Sequence, residues 1–215
     1  MSGIRLDGFI FDLDGTLVDS LHDIATSINL TRRDYGLAPL PEPDITRHVG
    51  EGSAALVQAT VADAPERLAE AVKRYHGHYA EHVLDTTHLF AGMDKLLQRL
   101  ADRPLAVVTN KNEKLALAVL TGLGLRSLFS VFLAGESLPE KKPSPLPILY
   151  VLERWGLPPA KVGLVGDGLH DIVAGRAAGV VTIAVSYGVA GRAALAAEQP
   201  TYLVDTVEEL DRLLL

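Results

Sequence analysis

The chain is 215 residues long, 48% apolar and 22% charged, with a formal net charge of −7 at pH 7 and no cysteine. That length suits one large domain or a core with a small insert, and the apolar share supports a packed interior rather than a disordered chain. The acidic balance argues against nucleic acid as the main partner, the lack of cysteine excludes disulfide and thiolate chemistry, and no apolar run of about 18 residues suggests a membrane span. A soluble, cytoplasmic protein is expected, whose ligand needs only a few local cations.

The first strong signal is Gly8-Phe9-Ile10-Phe11-Asp12-Leu13-Asp14-Gly15-Thr16. Phe9, Ile10 and Phe11 read as the end of a buried strand. In a parallel α/β sheet the crevice beyond the carboxyl ends of the strands binds ligands, so Asp12 and Asp14 should face a pocket. Strand alternation sets residues i and i+2 on one side, where two carboxylates can address one cation or one phosphoryl group. The same residues also suit a plain acidic turn.

From residue 19 to about 86 no strand pattern occurs. Helical periodicity runs over residues 19–35, 52–61 and 65–84, with 37–43 as a proline-stiffened connection. This predicts an inserted all-helical cap domain, residues 19–86, on a discontinuous core formed by residues 1–18 and 87–215. Within the insert, Arg47, His48, Gly50 and Gly52 lead into a helix start, an arrangement open to an anionic substrate or to an ordinary interhelical turn. The histidines His22, His48, His76, His78 and His82 lack a His-Glu-x-x-His pattern and are not expected to hold a metal.

Beyond the insert, strand-like runs at 105–108, 131–134, 162–165, 181–185 and 202–204 alternate with helical patterns at 112–123, 146–155, 169–178 and 206–214. The expected fold class is α/β, a Rossmann-like doubly wound parallel sheet. Thr109 and Asn110 end one strand just before a helix start, where a phosphate site and a helix cap are both possible. Lys141-Lys142-Pro143-Ser144-Pro145 sets two lysines before a rigid turn, suited to phosphoryl oxygens or to solvent. Asp167 and Asp171 stand at a strand tip and in the first turn of the next helix, suited to a hard cation or to the helix dipole.

Asp12-Leu13-Asp14-Gly15-Thr16-Leu17-Val18-Asp19-Ser20 resembles the first signature of the haloacid dehalogenase-like hydrolase superfamily. The segments around Thr109, Lys142 and Gly166-Asp167-Gly168-Leu169-His170-Asp171 match its later signatures in order, so the resemblance spans essentially the whole chain. It implies a Mg²⁺-dependent phosphatase acting on a small phosphorylated metabolite, as a monomer or homodimer. Asp12 is then the nucleophile that forms an aspartyl-phosphate, and Asp14 the general acid and base. Thr109, Asn110 and Lys142 hold the phosphoryl oxygens, Lys142 rather than Lys141 because the family lysine directly precedes Pro-x-Pro. Mg²⁺ would sit on the side chains of Asp12 and Asp167 and the Asp14 carbonyl, with Asp171 at the edge of that set or just behind it. An acid at position 14 separates the chain from the family's dehalogenases and phosphonate-cleaving members. Gly168 and His170 depart from the serine and asparagine common there. The segments 48–53, 90–92 and 185–188 resemble the phosphoglycolate phosphatase branch, which makes 2-phosphoglycolate the expected substrate and Arg47, His48, Gly50 and Gly52 its candidate cap contacts. A sugar phosphate mutase of the β-phosphoglucomutase type is the enzymatic alternative. A catalytically silent module of the same fold is the other, and it predicts a damaged constellation that this sequence does not have.

Overall fold

The computed structural model describes residues 4–61 and 65–214. Strand β1 (Gly8–Phe11) leads to a two-residue strand β2 (Val18–Asp19), then to helices α1 (Leu21–Asp34), α2 (Glu42–Thr46), α3 (Ser53–Thr60) and α4 (Pro65–His82). The chain returns through β3 (His88–Leu89) and α5 (Met93–Arg99). It then alternates β4 (Leu105–Val108), α6 (Glu113–Gly122), β5 (Val131–Leu133), α7 (Leu146–Trp155), β6 (Val162–Gly166) and α8 (Leu169–Ala178). β7 (Val181–Val185), α9 (Arg192–Ala197), β8 (Tyr202–Val204) and α10 (Val207–Leu214) complete it.

The main sheet has the order β5-β4-β1-β6-β7-β8, with every neighbouring pair parallel. The expected α/β class is what forms, and the reason lies in the strands. β1, β4 and β6 are buried along their whole length, as strands covered on both faces must be. Phe9 and Phe11 point into one core with Val107, Val165, Leu96 and Leu210, whereas Ile10 points into the other with Ala106, Val108, Ile148 and Val151. Gly8 leaves room on that strand for Trp155, whose ring lies 2.9 Å from where a Cβ would stand. Because the chain lays down β4 and β5 on one side of β1 and β6, β7 and β8 on the other, the order reverses at β1. The ends of β1, β4 and β6 therefore border one crevice.

The segment between β2 and β3 is helical among the described residues, and α1 and α4 pack together within it. Its two connections to the sheet pair antiparallel, Val18 with Leu89 and Asp19 with His88. Directly above, the buried Asp23 carboxylate accepts from the backbone N–H and hydroxyl groups of both Thr86 and Thr87, at 2.6–3.1 Å. Burial alone would raise the Asp23 carboxyl, but these donors outweigh it and hold the group below its ordinary value. Asp23→Ala leaves those donors without a carboxylate and should cost about 3 kcal/mol in urea unfolding. Asp23→Asn should lose less.

Some short elements escape a periodicity reading. α2 begins inside the stretch expected to be only a stiff connection, at Glu42 and Pro43, because prolines are tolerated in a first helical turn whose N–H groups have no intrahelical partner. α5 and α9 are only seven and six residues long, too short for a helical period to declare itself. The two-residue strands β2 and β3 are likewise too short to be seen.

Candidate active site

Asp12 follows β1 directly and is held by the sheet, its N–H donating to the Val165 carbonyl at 2.9 Å. One carboxylate oxygen accepts the Leu13 N–H at 2.7 Å. Lys142, only 1% exposed, places its ammonium 3.1 Å from Asp12 Oδ1 and 2.6 Å from Asp171 Oδ1, and donates to the Val108 carbonyl at 2.6 Å. Burial alone would drive Lys142 toward its neutral form, but the two carboxylates outweigh it and raise the group above its ordinary value. Burial of Asp12 likewise works against its charge, and Lys142 and His170 together hold it well below the usual carboxylate range. An ionised, fixed carboxylate at a strand end is a competent nucleophile.

Asp167 follows β6. Its oxygens accept from the Thr16 hydroxyl at 2.8 Å and the Val189 N–H at 2.7 Å. It lies against Gly15 and Gly188, where any Cβ would come within 2.3 Å of the carboxylate, and Gly15 also has a positive φ of 77°. Burial, with Asp12 and Asp171 adding negative charge, pushes Asp167 up to about 7. Asp171 sits in the first turn of α8 and has both oxygens engaged, Oδ2 accepting the Gly168 N–H at 3.0 Å and Oδ1 facing Lys142.

His170 was expected only as a variation near the site, yet its ring reaches it. Nε2 lies 3.5 Å from Asp12 Oδ2 and 3.6 Å from Asp171 Oδ2, and it has no hydrogen-bond partner among the described residues. Burial opposes charge on this ring, while Asp171 and Asp12 favour it and raise it above its ordinary value. The ring fits because both flanking positions are glycine: a Cβ on Gly168 would stand 2.1 Å from it, and one on Gly50 2.8 Å. Donor atoms of Asp12, His170 and Asp171 lie within 4.8 Å of one another. A crowd of buried carboxylates with one forced up to about 7 is a donor set that suits a hard divalent cation.

Asp14 points away from this cluster. Its oxygens lie 2.9 and 3.0 Å from the Lys111 ammonium, and Oδ1 accepts the Ser20 hydroxyl at 2.5 Å. Lys111 also donates to the Tyr79 hydroxyl of α4 at 2.8 Å. Sequence reasoning missed Lys111. The available signal was its place two residues beyond Thr109, the i+2 relation already used for Asp12 and Asp14.

Thr109 is buried beside Asp12 and accepts the Lys111 N–H at 3.2 Å. Asn110, the expected phosphate contact, lines the cleft, and its side chain is also engaged within the protein. Its amide donates to the Gly50 carbonyl and the Lys142 carbonyl, each at 2.9 Å, and so ties the helical segment to the lysine loop. Lys141 donates to the Glu51 carbonyl at 2.5 Å. Gly50 and Gly52 carry φ values of 117° and 91°, which side chains rarely adopt, and a Cβ on Gly52 would stand 3.0 Å from the Asn110 carbonyl oxygen. Arg47 pairs with Asp44 at 3.3 Å, and with His48 it borders the wider, open part of the crevice, whose walls also include Asp12, Asp14 and Asp167. His78 and His82 face different acids, Asp34 and Asp85, each at 2.7 Å.

A narrow cleft joins these parts. It is lined on the core side by Asp12, Asp14, Thr109, Asn110 and Lys111, and on the helical side by residues that include Ile24, Val49, Gly52 and Tyr75. No helix among the described residues is long and apolar enough to cross a membrane.

Three comparisons bear on this geometry. The sequence model of haloacid dehalogenase-like hydrolases matches residues 9–185. Phosphoglycolate phosphatase of Chromobacterium violaceum is 42% identical over 210 residues, covering 93% of this chain and 92% of that protein. Phosphoglycolate phosphatase of Neisseria meningitidis serogroup A is 36% identical over 211 residues, covering 93% and 90%. The crystal structure of a predicted phosphoglycolate phosphatase from Haemophilus somnus superposes with a TM-score of 0.89 at 31% identity, covering 96% of this chain and 97% of that one.

Proposed function

The chain belongs to the haloacid dehalogenase-like hydrolases, and from that premise we propose that it hydrolyses 2-phosphoglycolate through an aspartyl-phosphate on Asp12. It is a phosphoric monoester hydrolase; the substrate, the intermediate and the residue roles are the finer part of the reading. The observation that carries it is the Lys142 ammonium set between Asp12 and Asp171, which keeps Asp12 ionised in a buried place.

In this reading Asp12 attacks phosphorus, and its charge is maintained by Lys142. Phosphoryl transfer spreads charge over equatorial oxygens and needs fixed donors, which Thr109 and Lys142 supply beside the nucleophile. Asn110 acts indirectly, by holding the Gly50 loop against the Lys142 loop. Asp14 turns from Lys111 to the leaving oxygen, gives it a proton, and then takes a proton from the water that opens the acyl phosphate. The side chains of Asp12 and Asp167 and the Asp14 carbonyl would hold Mg²⁺, with Asp171 behind them positioning Lys142 and the Gly168 turn. Bound there, the ion would neutralise phosphoryl charge that one lysine cannot. Residues 19–86 act as a cap that closes over the cleft, with Gly50 and Gly52 as its contact and Arg47 and His48 at its rim.

The naming of relatives at up to 42% identity as phosphoglycolate phosphatases supports the substrate. The test is phosphate release from 2-phosphoglycolate, sugar phosphates, nucleotides and pyrophosphate, with and without EDTA. A dominant kcat/KM for 2-phosphoglycolate that EDTA abolishes is expected. Preference for a sugar phosphate, with isomerised sugar as product, would replace this reading with the mutase.

A further inference from the structure

We propose that Lys111 forms a carboxylate-recognition subsite, which selects substrates whose leaving group carries a negative charge beside the ester oxygen. The inference rests on the phosphatase reading above and deepens it.

Lys111 is 8% exposed, and it is the one cation among the described residues lining the narrow cleft. Lys142 is excluded from this role because its ammonium is already fixed on Asp12, Asp171 and the Val108 carbonyl. Lys111 instead points at Asp14, with both oxygens within 3.0 Å. Its place is set independently of Asp14 by the helical segment. The Tyr79 hydroxyl accepts from Nζ at 2.8 Å, Nζ lies 4.3 Å from the Tyr79 ring centroid, and that ring stacks on Tyr75 at 5.7 Å and 6°. Tyr75 in turn lines the cleft. An ammonium held this rigidly loses little freedom when a ligand binds it.

The consequence follows from charge. With the phosphoryl group at Asp12, the leaving oxygen lies toward Asp14, and Lys111 stands directly behind that carboxylate. When Asp14 turns to the leaving oxygen, Lys111 loses its only carboxylate partner among the described residues and becomes an unpaired buried cation, a costly state. A carboxylate on the carbon next to the ester restores the pair, and a neutral leaving group leaves it broken. Ile24, Val49 and Leu56 on the facing wall are apolar and offer a carboxylate no charged partner. The subsite thus discriminates by the penalty it places on neutral substrates as much as by attraction to charged ones.

The test compares kcat/KM for 2-phosphoglycolate and for its neutral amide, 2-phosphoglycolamide, in the wild-type protein, Lys111→Met and Lys111→Arg, each with Mg²⁺. Wild type should favour the acid by about 100-fold, the usual scale for breaking a buried charge pair. Lys111→Met should bring the two substrates to within about threefold of each other, through a raised KM for the acid together with an improved kcat/KM for the amide, and Lys111→Arg should retain a preference for the acid. Equal losses on both substrates in Lys111→Met would overturn the proposal and leave Lys111 as a residue that only positions Asp14. Equal turnover of acid and amide by wild type would overturn it while leaving the phosphatase reading intact. Rejection of both, with another ester accepted, would overturn the substrate reading and the proposal together. Should Lys111→Met not fold, Tyr79→Phe removes one bond to Nζ and should lower the acid-to-amide ratio severalfold, and an unchanged ratio would count against the subsite.

Discussion

Asp12→Asn should lower kcat by at least about 10⁴-fold while leaving the fold intact, as for other nucleophile replacements. The side chain is isosteric, and it sits 3.1 Å from a lysine that keeps a second carboxylate in Asp171. The substitution therefore removes the attacking charge without leaving Lys142 unpaired. Circular dichroism and the urea midpoint should stay close to wild type. A purified variant that kept more than about a tenth of wild-type turnover would remove Asp12 from the nucleophile's role, because a neutral amide cannot form the acyl phosphate.

With metal removed, the protein should become less stable as pH rises from 5 to 8. Asp167 is raised from 3.8 to about 7 by burial and by its acidic neighbours, so the folded state binds a proton across a range where the unfolded chain has released it. A raised folded value contributes stability that is complete below the unfolded value and is lost as pH climbs through the folded one. Of a full loss of about 4 kcal/mol at 1.36 kcal/mol per pH unit, about 3 kcal/mol falls between pH 5 and 8. His170, also raised, changes stability in the same sense. Asp12 is shifted the other way, and its contribution is lost only as pH falls below its ordinary 3.8, outside this window. Saturating Mg²⁺ should reverse much of the loss at pH 8, since binding at 100 times Kd adds about 2.7 kcal/mol. Chemical denaturation at both pH values, with EDTA and with Mg²⁺, checks this. A metal-free midpoint that does not change between pH 5 and 8 would contradict the raised Asp167.

The sequence was informative where chemistry and local geometry coincide. Asp12, Thr109 and Asp167 each follow a run of buried strand residues, and the hydrophobic period alone marks where each strand stops. The resemblance then attached roles to those strand ends, and the order β5-β4-β1-β6-β7-β8 explains why they meet. Other residues were visible only by type. Asn110 read as a phosphate contact, but its amide bridges two loops that are 60 and 32 residues away in the chain. Asp171 read as a ligand at the edge of the metal set or just behind it, and only the fold shows that it clusters with Asp12 and His170 while pairing with Lys142.

Lys111 and His170 show where the division falls. The i+2 step from Thr109 hints at the crevice side, but it does not separate a surface lysine from one buried against an acid 97 residues earlier, because the partner and the Tyr79 hydroxyl come from other elements. His170 reaches Asp12 only because Gly50, from the helical segment, and Gly168 both leave its ring room. Alternating apolar runs and helical periods, which are local, determined the α/β class and the strand-end carboxylates. Tertiary structure decided which carboxylate each lysine pairs with and which amide ties two loops together at the wall of the crevice. Charge pairing and burial depend on distances between segments that are remote in the chain, and no local pattern encodes those distances.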